Sequence, residues 1–137
     1  MTALLDTSFL LAMTNSKDHN HARVLDVAAK ISDNLIVPVT VLPEVSYLIG
    51  SRLGHKAMRQ FLGNLAASDV AVEMVTKDDL KRVTAILTEY ADSRLDFVDA
   101  TIVALAERLN ITRILTLDRR DFTIIRPKHH PYFEILP

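Results

Sequence analysis

Short apolar runs and longer segments of helical period alternate along the chain. Apolar runs without polar alternation predict strands buried on both faces at residues 3–5, 35–37, 70–75 and 113–117. Apolar residues spaced three and four apart predict helices at residues 18–31, 41–53, 55–67, 77–90 and 97–109. Strands separated by long helices favour right-handed crossovers. The pattern therefore predicts an α/β fold with a central, mainly parallel sheet covered by helices on both faces.

The size and composition of the chain fit one domain. With 137 residues, 49% of them hydrophobic, the chain can bury a sizeable core. No repeat or Pro/Gly-rich linker divides it, so we predict a single domain over residues 1–137. The absence of cysteine excludes disulfides and thiolate zinc sites. No two histidines have the i, i+4 spacing of a helical metal pair, so a metal site would be built from oxygen ligands.

The hydropathy pattern predicts a cytoplasmic protein without a membrane segment. The apolar stretches are shorter than the roughly 20 residues that a bilayer crossing needs, and the N-terminus lacks the pattern of a signal peptide. The formal net charge of −1 lacks the basic excess that is usual for a module that only binds nucleic acid. An RNA substrate would have to be attracted by local basic patches and by metal ions.

Two acids follow predicted strands. Asp6 follows the first strand and Asp118 the last, so both carboxylates should lie at the carboxyl edge of the sheet, where ligands bind in this fold class. The hydroxyls of Ser8 and Thr116 could orient ligands or water there, although such hydroxyls are often only satisfied polar groups. Alternatively, Asp6 caps a helix, and Asp118 and Asp121 belong to a solvated turn.

Three further acids interrupt apolar helices. A Glu such as Glu44 is rarely buried unless it is paired or binds metal, although it could instead share a polar stripe with Ser51 and Arg52 or complement the helix N-terminus. Asp96 and Asp99 stand three apart at the start of an almost wholly apolar helix. We assign Asp96 mainly to capping and Asp99 to chemistry, the alternative for Asp99 being dipole compensation.

Acids that converge on one edge would repel each other, and the pKa of at least one would rise. A divalent cation removes this conflict, and all-oxygen ligands select Mg²⁺, or Mn²⁺, over zinc. The predicted catalytic and metal-binding set is Asp6, Glu44, Asp99 and Asp118, with Asp96 and Asp121 as possible additional ligands.

These motifs resemble the PIN-domain ribonucleases, and specifically the VapC toxins of bacterial and archaeal type II toxin–antitoxin systems. The resemblance spans essentially the whole chain, and the order and spacing of the motifs carry it. The matching segments are residues 4–10, 43–45, 96–100, 116–122, 125–127 and 133–137.

The resemblance implies a PIN-like three-layer α/β/α sandwich that acts as a Mg²⁺-dependent endoribonuclease toxin on structured RNA, either tRNA or rRNA. It places Asp6, Glu44, Asp99 and Asp118 at the family's metal positions, and it implies a VapB-type antitoxin. It also implies a homodimer, which the apolar helical segments 45–53 and 58–65 would support.

Basic residues near the predicted crevice are candidates for binding the RNA backbone, with solvated surface charge as the alternative for each. They are Arg52, Lys56, Arg59, Arg119 and Arg120.

Other functions remain as alternatives. A PIN-domain ribonuclease of housekeeping RNA processing would share the same acids, and a catalytically silent PIN-like module would only bind RNA. A phosphoacceptor receiver domain would need paired acids near the first strand and a late lysine, and no such set is evident. A haloacid-dehalogenase-type phosphatase would need a second acid two residues after Asp6, where Ser8 stands.

Overall fold

Five parallel strands form the centre of the computed structural model, which describes residues 1–137. The strands are β1 (Thr2–Leu5), β2 (Asn34–Pro38), β3 (Ala71–Glu73), β4 (Arg113–Leu115) and β5 (Glu134–Leu136). Their order in the sheet is β3-β2-β1-β4-β5, and every neighbouring pair is parallel. The predicted α/β class with a parallel sheet is confirmed.

Seven helices connect and cover the strands. They are α1 (Thr7–Thr14), α2 (His21–Lys30), α3 (Val41–Leu53), α4 (His55–Ala67), α5 (Lys77–Glu89), α6 (Phe97–Leu109) and α7 (Arg119–Ile124). The five predicted helices are all present. Helix α2 begins later than the predicted residue 18, because the Asp18 carboxylate accepts the Asn20 backbone N–H at 2.8 Å and holds a turn there. None of the helices combines the length and apolar character that a membrane crossing needs.

Two helices and one strand differ from the hydrophobic pattern. The pattern indicated only the start of a helical turn after Asp6, whereas α1 runs for eight residues. The charged segment after Asp118, interpreted alternatively as a turn, forms the short helix α7, which buries Phe122. Strand β5 lies in segment 133–137, which carries part of the family resemblance but was not among the strands predicted from the hydrophobic pattern.

The hydrophobic core lies between the sheet and the helices that pack on it, and the buried helix faces are mostly apolar. Helix α6 is buried without a break from Asp99 to Ala106, which agrees with its almost wholly apolar sequence. Because β1 lies between β2 and β4, the chain leaves the sheet at adjacent points after β1 and β4. The Asp6 backbone N–H donates to the Leu115 carbonyl at 3.0 Å, which places the two strand ends side by side.

Candidate active site

An acidic cleft lies at the carboxyl ends of the strands. It is open to solvent and has a volume of about 270 Å³. Its lining residues come from the end of β1 through α1, from α3, from the loop before α6 and the start of α6, and from the segment after β4. Its carboxylates are Asp6, Glu44, Asp96, Asp99, Asp118 and Asp121, and its two guanidinium groups are Arg52 and Arg94. The structure thus brings together all four predicted catalytic acids and both possible additional ligands.

A series of hydrogen bonds fixes Asp6 at the end of β1. One carboxylate oxygen accepts the Thr7 backbone N–H at 2.8 Å and caps α1, and the other accepts the Thr116 hydroxyl at 2.7 Å. The Thr116 oxygen also accepts the backbone N–H of Asp118 at 2.9 Å and lies 3.2 Å from the Ser8 hydroxyl. Asp6 therefore both caps a helix and lines the cleft, and Thr116 joins it to the Asp118 segment.

A reciprocal cap places Asp96 and Asp99 at the start of α6. The Asp96 carboxylate accepts the Asp99 backbone N–H at 2.9 Å, and the Asp99 carboxylate accepts the Asp96 N–H at 3.4 Å. This is a capping box with aspartate at both positions. Asp99 is only 8% exposed, whereas Asp96 is exposed. The capping role predicted for Asp96 is present, and Asp99 shares it.

Helix α3 presents Glu44, Leu48 and Arg52 to the cleft. These residues are spaced four apart, which places them on one face of the helix. Glu44 lies in the first turn and is half-buried, so it also complements the helix dipole. Glu44 and Arg52 share this face, as the alternative interpretation had it, but the face borders the cleft rather than open solvent.

Three of the acids are close enough to share a cation. Asp99, Asp118 and Asp121 each offer a carboxylate oxygen, and these oxygens lie within 4.8 Å of one another. The trio includes Asp121, which the sequence indicated only as a possible ligand, and it leaves Asp6 and Glu44 beside it in the same cleft.

Burial and mutual repulsion raise the pKa of the central acids. Burial, followed by the charges of Asp96 and Asp6, raises the pKa of Asp99 to about 8. Burial also raises the pKa of Asp6, against the hydrogen bonds from Thr116 and Thr7. Burial and the neighbouring Asp118 raise the pKa of Asp121. The cleft therefore concentrates more negative charge than its surroundings neutralise.

The donor chemistry of the cleft fits a hard divalent cation. The side-chain groups there that can bind a cation are carboxylate and hydroxyl oxygens, and no histidine or cysteine lines the cleft. A cation among Asp99, Asp118 and Asp121 would compensate the repulsion that raises the pKa values of Asp99 and Asp121.

The predicted basic residues are only partly gathered at the cleft. Arg52 lines it, whereas Lys56, Arg59, Arg119 and Arg120 do not. The Arg119 guanidinium donates to the Ile135 carbonyl at 3.3 Å and so contacts β5. The others are exposed, in keeping with the alternative of surface charge.

Sequence reasoning missed Arg94, which lies in the loop before α6 and lines the cleft. Its position two residues before the predicted cap Asp96 was the one available signal. A residue two positions before the N-cap of α6 must lie near the start of that helix, whatever conformation the loop adopts.

Comparisons with known proteins identify relatives of the whole chain. Ribonuclease VapC26 of Mycobacterium tuberculosis (strain ATCC 25618 / H37Rv) is 34% identical over 134 residues, which cover 98% of this chain and 99% of that protein. The crystal structure of Mycobacterium tuberculosis VapC20, described as a sarcin-ricin loop cleaving toxin, matches with a TM-score of 0.77 at 27% identity, covering 82% of this chain and 86% of that chain.

A more distant structure shares the fold. VapBC2 from Rickettsia felis, bound to a DNA fragment from its promoter, matches with a TM-score of 0.74 at 16% identity and covers all of both chains. The family model of the PIN domain matches residues 3–126. The chain belongs to the PIN domain family.

Proposed function

We propose that the chain is a metal-dependent endoribonuclease that acts as the toxin of a type II toxin–antitoxin pair. The observation that carries the proposal is the convergence of six carboxylates from four parts of the chain in one cleft. Such convergence is costly without a cation and useful with one. The VapC ribonucleases among the relatives support RNA as the substrate. The relative named as a 23S rRNA-specific endonuclease makes ribosomal RNA, rather than tRNA, the first substrate to test.

Mg²⁺ is the cation that we propose, with Mn²⁺ as a substitute, because both prefer carboxylate oxygens. Asp99, Asp118 and Asp121 would hold it, with Asp6 and Glu44 beside them as further ligands or as acceptors for water. When bound, such a cation compensates charge on the phosphodiester and makes water more acidic at neutral pH.

The side chains of the cleft then position the reacting groups. Thr116 fixes the orientation of Asp6, and the α6 capping box fixes that of Asp99. The proposed hydrolysis joins a water oxygen to phosphorus and breaks the bond to the ribose 3′ oxygen, which takes up a proton. The products are a 5′-phosphate and a 3′-hydroxyl. Arg52, at the rim of the same cleft, is placed to hold backbone phosphate.

An apolar groove beside α1 is the site that we propose for the antitoxin. The groove has a volume of about 470 Å³ and lies between α1, α4 and the strands, with Leu10, Met13 and Phe61 among its lining residues. Helix α4 has no fully buried residue, so part of its apolar face remains available to a partner. Helix α1 borders both the groove and the acidic cleft. A segment in the groove could therefore also bring a basic side chain to the acids.

The proposal includes a homodimer. Tyr47 on α3 is 72% exposed and Leu62 on α4 is 38% exposed, and the two helices pack against each other. A symmetric pair of chains would bury these side chains. Light scattering on the purified chain at micromolar concentration measures this directly, and a mass of one 15.4 kDa chain would contradict it.

Cleavage by the purified chain tests the function. We expect the chain to cut ribosomal RNA in Mg²⁺ or Mn²⁺ and to stop when EDTA removes the metal. Asp118→Asn should abolish cutting, since it removes one charge from the proposed cation site, whereas Asp26→Asn, the same change on the exposed face of α2, should cut normally. Equal cutting by Asp118→Asn and wild type would reject the site, and cutting that survives EDTA would reject the metal dependence.

A further inference from the structure

Two exposed guanidinium groups stand unpaired at the rim of the acidic cleft. Arg52 and Arg94 line the cleft together with six carboxylates, yet neither takes part in any of the chain's ion pairs or side-chain hydrogen bonds. Elsewhere, Arg82, Arg108 and Arg113 all bind carboxylates. The two cleft arginines thus keep their donors free although acids are close by.

Hydrogen bonds of the neighbouring residues fix the backbone around Arg94. Ser93, the preceding residue, donates from its N–H and its hydroxyl to the Tyr90 carbonyl at 2.9 and 2.7 Å, and its hydroxyl accepts the Leu95 N–H at 3.3 Å. The Tyr90 hydroxyl accepts the Arg126 backbone N–H at 2.8 Å, which ties this turn to the C-terminal segment. The α6 cap begins immediately afterwards, so the loop is held at both ends.

The two arginines reach the cleft from separate elements. Arg52 comes from the last turn of α3 and Arg94 from the loop between α5 and α6. A guanidinium offers a planar set of donors that fits phosphate oxygens, and it stays charged at all relevant pH values. In a cleft where cations compensate the carboxylates, two free guanidinium groups suit a ligand that carries more than one phosphate.

We propose that Arg94 binds a phosphate of the RNA backbone, and that Arg52 and Arg94 together make the cleft recognise a polynucleotide through two separate phosphates. This inference rests on the proposed ribonuclease function. Arg94 lies outside the segments that carry the family resemblance. Because each contact displaces counterions from the RNA, each should contribute separately to the salt dependence of binding.

Fluorescence anisotropy with a labelled ribosomal RNA hairpin tests the assignment by binding rather than by turnover. The parent protein carries Asp99→Asn, which prevents cleavage, and binding is measured in Mg²⁺ over a range of salt concentrations. Arg94→Ala should weaken binding about 10-fold and lower the slope of log affinity against log salt by about 0.7 to 0.9. Adding Arg52→Ala should lower the slope again by a similar amount. Arg94→Lys should keep the slope, because it retains the charge.

Arg23→Ala is the matched control, since Arg23 is exposed and unpaired on α2 and does not line the cleft. It should bind like the parent. If the parent binds RNA and Arg94→Ala binds equally tightly with the same slope, the inference is overturned and the proposed function stands. A parent that does not bind RNA overturns the inference, and the proposed function fails with it only if the wild type also leaves the RNA uncut in Mg²⁺.

Discussion

At the scale of single residues, Thr116 is the side chain on which the arrangement of the cleft most depends. Its hydroxyl donates to Asp6 and its oxygen accepts the Asp118 N–H. Thr116→Val keeps the shape but leaves both partners without this bond, and we expect cleavage to slow by about 10- to 100-fold, as for other residues that orient metal ligands. Thr116→Ser should stay within a few fold of wild type. Initial cleavage rates compare them, and equal rates for the Val and Ser variants would contradict the orienting role.

Because of Asp99, we expect the free energy of unfolding of the metal-free protein to depend on pH. Its pKa rises from 3.8 to about 8, so the folded chain holds this proton more tightly than the unfolded chain does. The free energy of unfolding should therefore fall as pH rises through this window. Asp99→Asn removes the effect and should be more stable than wild type at pH 8 by about 2 kcal/mol, since nearby solvent screens part of the full shift.

Urea unfolding in EDTA at pH 5 and pH 8 measures this difference. Asp26→Asn is the control, because Asp26 is exposed and paired only with Lys30. Adding Mg²⁺ at pH 8 should stabilise wild type more than Asp99→Asn. If the difference in unfolding free energy between wild type and Asp99→Asn is the same at pH 5 and pH 8, the raised pKa of Asp99 is contradicted.

Residue-level prediction succeeded where a residue is tied to a strand end or a helix start. Asp6 and Asp118 follow strands and Asp99 begins a helix, so topology alone brings them together. The positions of Arg94 at the cleft and of Asp121 close to Asp99 could not be predicted in this way. Arg94 depends on a turn held by the Ser93 side chain, and Asp121 depends on α7, whose charged sequence has no helical period of its own.

At the scale of elements, Arg113 joins three parts of the sheet. It lies on β4, donates to Asp33 before β2 at 2.7 Å, and forms two bonds to Glu134 on β5 at 3.1 and 3.0 Å. The Asp33 side chain is only 4% exposed, and one of its oxygens already lacks a partner. Arg113→Met should destabilise the fold by about 3 kcal/mol, because it leaves a buried charge uncompensated.

Two further variants distinguish the contribution of the buried Arg113–Asp33 pair from that of the more exposed Arg113–Glu134 pair. Glu134 is 45% exposed, so Glu134→Gln should cost less than about 1 kcal/mol. Asp33→Asn combined with Arg113→Met should recover part of the loss, because the orphaned charge is removed. Urea unfolding gives all four free energies. An Arg113→Met chain as stable as Glu134→Gln would show that the Asp33 contact contributes nothing.

Element prediction failed where an element is short or lacks a distinct period. Helix α1 is apolar on most sides because it is largely buried, so its sequence does not show the polar face of an amphipathic helix. Strand β5 has three residues and is followed by Pro137, whereas the equally short β3 and β4 lie within the longer predicted segments 70–75 and 113–117. The long helices α3 to α6 each span thirteen residues, and their predicted bounds agree with the structure to within one residue.

At the scale of the whole molecule, the acidic cleft and the apolar groove place two proposed partners on either side of α1. Phe61→Glu would put a charge in the groove, so it should weaken neutralisation by the proposed antitoxin while RNA cleavage persists. Leu80→Glu is the control, since Leu80 is 43% exposed on α5 and does not line the groove. Growth during co-expression measures neutralisation, and full protection from Phe61→Glu would exclude the groove as the antitoxin site.

Sequencing of RNA 5′ ends after brief induction in a host tests whether the acidic cleft makes this chain an RNA-cleaving toxin. Wild type and Asp26→Asn should arrest growth and produce the same new 5′-phosphate ends, whereas Asp6→Asn, expressed at the same level, should produce neither. New ends and arrest that persist in Asp6→Asn, or a wild-type chain that leaves growth and RNA intact, would contradict the account.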